Sequence, residues 1–195
     1  MPRARANRIE IEYESIGDPE DPPLLLVMGL GAQMILWPDE FCEALADRGH
    51  HVVRFDNRDV GLSTKLDPAG LPDVMGALGA VAQGRPVDAP YRLADMAADA
   101  AGLLDALDLP SAHVVGASMG GMIAQTLAYR HPARVKSLVS IMSSTGSPSV
   151  PPAKPEVVGR LMMPPPGNRQ AAIDQSVETW KVIKIGRASC RERVS

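Results

Sequence analysis

The residue types best arranged for chemistry lie in Gly116-Ala117-Ser118-Met119-Gly120, a serine with glycine two positions before and two positions after it. A serine hydroxyl attacks a carbonyl well only if it projects from a tight turn at the edge of a sheet, clear of neighbouring side chains. Glycines at those two positions remove the Cβ atoms that would collide with the strained turn and the adjacent strands. The flanking sequence supplies the rest of the frame: Ala112 to Ala117 reads as a short buried strand and Met119 to Arg130 as a helix. In that frame Ser118 is the candidate nucleophile. The N–H of Met119, opening the helix, faces the oxyanion that forms during attack, with the helix dipole behind it. The pentapeptide alone would also fit a chance glycine-rich loop, and the strand–turn–helix setting is what separates the two readings.

A second turn fits the same chemistry. The apolar run Leu24-Leu25-Leu26-Val27-Met28 leads into Gly29-Leu30-Gly31-Ala32, where a backbone N–H can face the nucleophile. By position that donor is Leu30. One donor from this turn and one from the residue after the serine make an oxyanion hole, and losing one such donor typically costs about 2.7–4 kcal/mol of transition-state stabilisation. Taken alone, the glycine turn serves equally well as a plain strand-to-helix connection.

The elements that must carry these turns can be read from periodicity. Residues 8–15 alternate Ile9, Ile11 and Tyr13 against Glu10, Glu12 and Glu14, the pattern of a strand. Pro38 to Arg48 reads as a helix with Trp37, Phe41, Ala44 and Leu45 on one face, stopped by Gly49. Val52 to Phe55 is the next strand, residues 64–90 are a Gly- and Pro-rich connection without evident organisation, and Leu93, Met96, Ala97, Ala100, Leu104 and Leu107 mark an amphipathic helix. Val135 to Met142 is the last strand. Strands alternating with helices imply an α/β protein, a mostly parallel sheet with helices on both faces. Met34, Trp37 and Met122 are candidates to line a pocket beside Ser118, with core packing the plainer role for each.

Composition limits what else the chain can be. Its 195 residues suit one domain with a buried core, and 45% hydrophobic with 22% charged residues is ordinary for a globular protein. A net charge of −3 offers no basic field for nucleic acid or an anionic membrane. The longest apolar run is far too short to span a bilayer, and the N-terminus is not a secretory signal. Cys42 and Cys190 make neither a disulfide framework nor a metal-ligand spacing, so no metal or cofactor is expected and the default setting is cytoplasmic.

With these residues in hand, the chain resembles the α/β-hydrolase superfamily, and more narrowly the branch that includes aclacinomycin methylesterase. Three segments carry the resemblance: Leu25-Leu26-Val27-Met28-Gly29, Arg54-Phe55-Asp56-Asn57-Arg58-Asp59-Val60-Gly61-Leu62-Ser63, and the Ser118 turn. The resemblance implies Ser118 as nucleophile, the Leu30 and Met119 amides as oxyanion donors, and a cap beginning near the proline-rich stretch after Gly146. Two positions depart from the family pattern: Met28 stands where many members carry histidine, and Asp59 where many carry glycine. A serine nucleophile argues against the haloalkane dehalogenases and epoxide hydrolases of the same fold, which use aspartate.

The order serine, acid, histidine in this fold puts both triad partners after Ser118. His131 follows it, but at the end of a helix about 18 Å long that begins at the serine. His50, His51 and His113 precede Ser118 and read as structural. Asp174 and Glu178 fall in the presumed cap. The expectation is an N-terminal piece of a hydrolase, truncated before the last two strands: core over 1–146, start of a cap over 147–184, and over 185–195 a non-native tail where the amphipathic pattern of Ala171 to Val182 stops abruptly. The expected activity of the parent is hydrolysis of a small-molecule carboxylic ester through an acyl-enzyme, with this chain inactive by itself and prone to dimerise. The alternatives are a perhydrolase or acyltransferase on the same fold, or a non-catalytic ligand-binding module.

Overall fold

A computed structural model describes residues 2–70, 73–147, 149–150, 154–161, 163 and 166–183. Residues 185–195, expected to be a non-native tail, lie outside the described residues. The chain forms two compact units, Met1–Thr145 and Gly146–Ser195.

The first unit is built on a six-stranded sheet. Its strands are β1 (Arg3–Ala6), β2 (Ile9–Ile16), β3 (Pro23–Val27), β4 (His51–Phe55), β5 (Ala112–Ala117) and β6 (Val135–Ile141), in the spatial order β1-β2-β4-β3-β5-β6. The pairs β4–β3, β3–β5 and β5–β6 are parallel, whereas β1 and β2 join antiparallel at one edge. Helices α1 (Asp39–Ala46), α2 (Val74–Ala82), α3 (Leu93–Ala106) and α4 (Met119–Arg130) fill the connections.

The unbroken apolar run of β3 is explained by two covered faces. Leu25 and Val27 join Val53, Phe55 and Val114 in the core beneath α3 and α4, while Leu24 and Leu26 join Val52, Trp37 and Cys42 on the opposite face. Strand β6 is the exception. It pairs only with β5 among the described residues, and Leu138, Val139 and Ile141 remain 37–49% exposed.

Three local readings are corrected by the structure. The basic N-terminus forms β1, because Ala6 is small enough to be buried in the α3 core and Arg3 pairs at 2.8 Å with Glu12. That pairing also buries Glu12, which strand alternation had placed outside. The 64–90 connection contains α2, started by Asp73, whose carboxylate accepts the Gly76 N–H at 2.8 Å. In α1 the buried residue is Cys42, whereas Phe41 is 39% exposed and stacks on Trp37 with ring centroids 5.7 Å apart.

The second unit contains α5 (Pro155–Leu161) and α6 (Arg169–Ile183), which pack on each other. Asp174 and Glu178 are exposed on α6, accepting from Gln170 and pairing with Lys181.

Candidate active site

Strand register brings three turns abreast. Val27 pairs with Gly116 on one side and with Phe55 on the other, so two residues further on Gly29 stands between Ser118 and Asn57.

Ser118 is the single residue between β5 and α4, with φ 56° and ψ −124°. Non-glycine residues avoid that region, and a serine held there costs of order 1–3 kcal/mol. Its N–H donates to the Ile141 carbonyl at 2.9 Å and its carbonyl accepts the Gly121 N–H at 2.9 Å, which tie the turn to β6 and to the first turn of α4. The flanking glycines are sterically required. A Cβ on Gly116 would lie 2.5 Å from the Gly120 carbonyl carbon and 2.6 Å from the Gly121 nitrogen; one on Gly120 would lie 2.7 Å from the Met28 oxygen and closer still to that of Val27. Met119 is the first helical residue.

Gly29 packs directly on the serine: a Cβ there would sit 3.0 Å from Ser118 Cβ and 3.4 Å from Oγ. Leu30 follows, its side chain 57% exposed, and the Ala32 N–H donates to the Gly29 carbonyl at 3.3 Å. The structure therefore brings Ser118, the Gly29-Leu30 turn and the start of α4 into one place.

The turn after β4 holds the other side. Asp56 and Asn57 are 3% and 2% exposed. Asp56 accepts the Met34 N–H at 2.8 Å and the Leu62 N–H at 3.0 Å, and Asn57 donates to the Met28 carbonyl at 2.8 Å. Arg58 forms a two-toothed pair with buried Asp99 of α3 at 2.6 and 2.7 Å, and its guanidinium lies 5.0 Å from the centre of the Tyr91 ring. Hydrogen bonding to Asp99 raises the already high Arg58 pKa, while burial, followed by a hydrogen bond with Asp59, pushes the Tyr91 phenol up to about 12. Asp59 has φ 64°, the left-handed region that favours glycine, and its carboxylate accepts the Leu66 N–H at 2.6 Å. From sequence alone Asp56 and Asn57 carry no assigned role. The available signal is the run of four consecutive polar residues, Asp56 to Asp59, directly after the strand.

A cavity of about 350 Å³ opens between the turns after β3 and β4, lined by residues 31–33, Ile35, Leu36 and Asp59 to Gly61. Met34 and Trp37 do not line it; they are 1% and 7% exposed and belong to the core. Met122 is half-buried on α4.

None of the four histidines stands at Ser118. His51 opens β4 and His113 lies near the start of β5, at the strand ends opposite the serine. His50 and His113 meet edge to face at 6.1 Å, His113 Nδ1 is 2.7 Å from Ser137 Oγ, and His51 Nε2 bonds Ser15 Oγ. Burial lowers the pKa of His51. His131 ends α4, twelve residues and about 18 Å from its start. Among the described residues no group of three or more His, Cys, Asp or Glu side chains could hold a metal ion, and no helix is long and apolar enough to cross a membrane.

The sequence profile of the alpha/beta hydrolase fold family matches residues 22–185. The chain belongs to the α/β-hydrolase family. Among its α/β-hydrolase relatives is rhodomycin D methylesterase DauP of Streptomyces sp. (strain C5), 33% identical over 94% of this chain and 62% of its own length. A putative carbamate hydrolase RutD of Variovorax paradoxus (strain S110) is 36% identical over 67% of the chain and 41% of its own length. The solved structure of a bacterial membrane phospholipase A superposes with a TM-score of 0.62 at 29% identity, covering 82% of this chain and 44% of that one. The enol-lactonase of Burkholderia xenovorans LB400, at 22% identity and a TM-score of 0.58 over 93% of this chain and 66% of that one, shares the fold. The chain thus spans about three-fifths of the length of the methylesterases it matches.

Proposed function

We propose that this α/β-hydrolase is a serine esterase whose Ser118 hydroxyl attacks a carboxylic ester. The observation that carries the reading is the strained φ of Ser118 at the β5–α4 junction with the Gly29 backbone packed against it. Strain persists where the surroundings over-determine it, and here it exposes a hydroxyl beside two backbone turns. In the proposed cycle Ser118 Oγ adds to the ester carbonyl, and the Leu30 and Met119 amides stabilise the oxyanion. Collapse expels the alcohol and leaves an acyl-serine, which water hydrolyses to the acid. The proton from Ser118 needs a base. None of the chain's four histidines is placed to serve, so the proposal includes a histidine, oriented by an acid, from sequence outside residues 1–195. The substrate class we assign is a small apolar ester such as a methyl ester, following the relatives named as methylesterases. The alternative reading is a ligand-binding module that retains the serine turn without turnover.

The test is p-nitrophenyl butyrate hydrolysis and fluorophosphonate labelling of the protein expressed through its natural stop codon, beside Ser118→Ala. Turnover and labelling that vanish in the variant support the esterase. Turnover that survives removes Ser118 from the mechanism, and absence of both in the parent selects the binding module. We also place the protein in the cytoplasm and expect residues 1–195 alone to self-associate through the exposed β6 edge; a sharp monomer boundary in sedimentation would refute the latter.

A further inference from the structure

We propose that Asn57 is a positioning residue for the oxyanion turn, an inference that rests on the serine-esterase reading. The Leu30 N–H can stabilise an oxyanion only if the two peptide planes flanking Gly29 are held, because glycine by itself restricts neither. The Leu30 N–H shares a plane with the Gly29 carbonyl, which accepts from Ala32 at 3.3 Å. The Gly29 N–H shares a plane with the Met28 carbonyl, and that oxygen accepts the Asn57 amide at 2.8 Å. The far end of the turn is fixed by the adjacent residue, where Asp56 takes the Met34 N–H at 2.8 Å. Neighbouring residues at the tip of β4 therefore grip the turn at both ends, one by donating and one by accepting.

Residue type follows from this geometry. Asn57 is 2% exposed, so its amide has no water to exchange with and bonds the carbonyl it faces. A carboxylate of the same shape would set oxygen against oxygen. Gly29 also lies so close to Ser118 that an added Cβ would sit 3.0 Å from the serine's own Cβ, so a turn released from Asn57 shifts relative to the nucleophile. The backbone of Asn57 is held separately through its carbonyl, which accepts the Val60 N–H at 3.0 Å, and that bond survives a side-chain change.

The experiment compares the parent with Asn57→Asp and with the neutral Asn57→Ala, so that a folding failure of one leaves the other to read. Backbone 15N order parameters at residues 29–32 should fall from about 0.85 to below about 0.6, while those of β3, β5 and Met119 hold. In the p-nitrophenyl butyrate assay kcat should drop on the order of 10- to 10²-fold with KM near its parental value, the signature of lost transition-state positioning. Unchanged order at residues 29–32, a loosened turn with unchanged kcat, or two variants that both unfold would each overturn the proposal. The order parameters do not depend on turnover, so they judge Asn57 even if Ser118→Ala refutes the esterase reading.

Discussion

Gly120→Ala adds one methyl group where the Ser118 turn meets β3. The added Cβ would lie 2.7 Å from the Met28 carbonyl oxygen and from the Val27 carbonyl carbon, and nearer still to the Val27 oxygen. All three are backbone atoms at the end of a central strand and the residue after it, so no rotamer change relieves them. Opening even the 2.7 Å contacts to 3.0 Å moves α4 by about 0.3 Å, and the Val27 oxygen demands more. Helix α4 resists that movement because Ile123, Ala124 and Leu127 are fully buried beneath it. Overpacking of this kind costs about 1–3 kcal/mol, and a rigid backbone contact belongs at the upper end. Alanine returns about 0.5–1 kcal/mol through helix propensity, leaving a net loss of about 2 kcal/mol. In a chain of this size that lowers Tm by roughly 4–8 °C. Gly121→Ala is the control, since its Cβ would meet only side-chain atoms, at 2.6 Å and 2.7 Å from Ser143 and 2.8 Å from Ser140. Adding Ser143→Gly should recover most of the Gly121→Ala loss and none of the Gly120→Ala loss. Urea denaturation followed by far-ultraviolet circular dichroism measures all four. A Gly120→Ala cost under about 0.5 kcal/mol, the range of an indifferent surface site, would refute the claim that glycine is required there.

The Arg58–Asp99 pair should behave as a buried ion pair. Asp99→Leu leaves the guanidinium buried without its carboxylate and should cost about 3–5 kcal/mol, whereas Arg58→Met with Asp99→Leu should regain most of it in the same urea assay. His51 should make the fold acid-sensitive. Its folded pKa is lowered by burial, so the unfolded chain binds the proton first as pH falls below about 6.5, and acid favours unfolding. His51→Gln should lose less stability than the parent between pH 7.5 and 5.5; parallel curves would assign the acid sensitivity elsewhere.

What could be read without the structure follows the range of the interactions involved. The serine turn is a local device, and Gly116, Ser118 and Gly120 announce it because the backbone between them admits little else. Strand β3 was equally plain, since a run from Leu24 to Val27 is tolerated only when both faces are covered. The expected apolar face of α1 runs through Trp37, which precedes the helix, and so puts Phe41 inward where the structure leaves it 39% exposed. In the folded chain Arg54 donates to the Trp37 carbonyl and lies 3.9 Å from Cys42 Sγ, which turns Cys42 inward. Asn57 was unreadable for a related reason. Its partner Met28 is 29 residues away, and only the register of β3 against β4 makes them neighbours.

That register also explains why the candidate site forms here and not at another strand end. The chain leaves β3 toward β4 on one side, while β5 lies on the other, so the order β4-β3-β5 reverses direction at β3. At such a reversal the connections depart to opposite sides and leave a crevice at the carboxyl ends of the strands. Val27 pairs with both Phe55 and Gly116, so the first residues beyond all three strands share that crevice at one level. One turn supplies a side chain on a strained backbone, the second the Gly29-Leu30 peptide, and the third the polar groups that hold the second in place. A single-residue slip of β3 would separate Gly29 from both Ser118 and Asn57. The alternating commitment of Leu24 and Leu26 to one core face and Leu25 and Val27 to the other forbids that slip. The apolar packing of β3 therefore sets the geometry of the polar site above it.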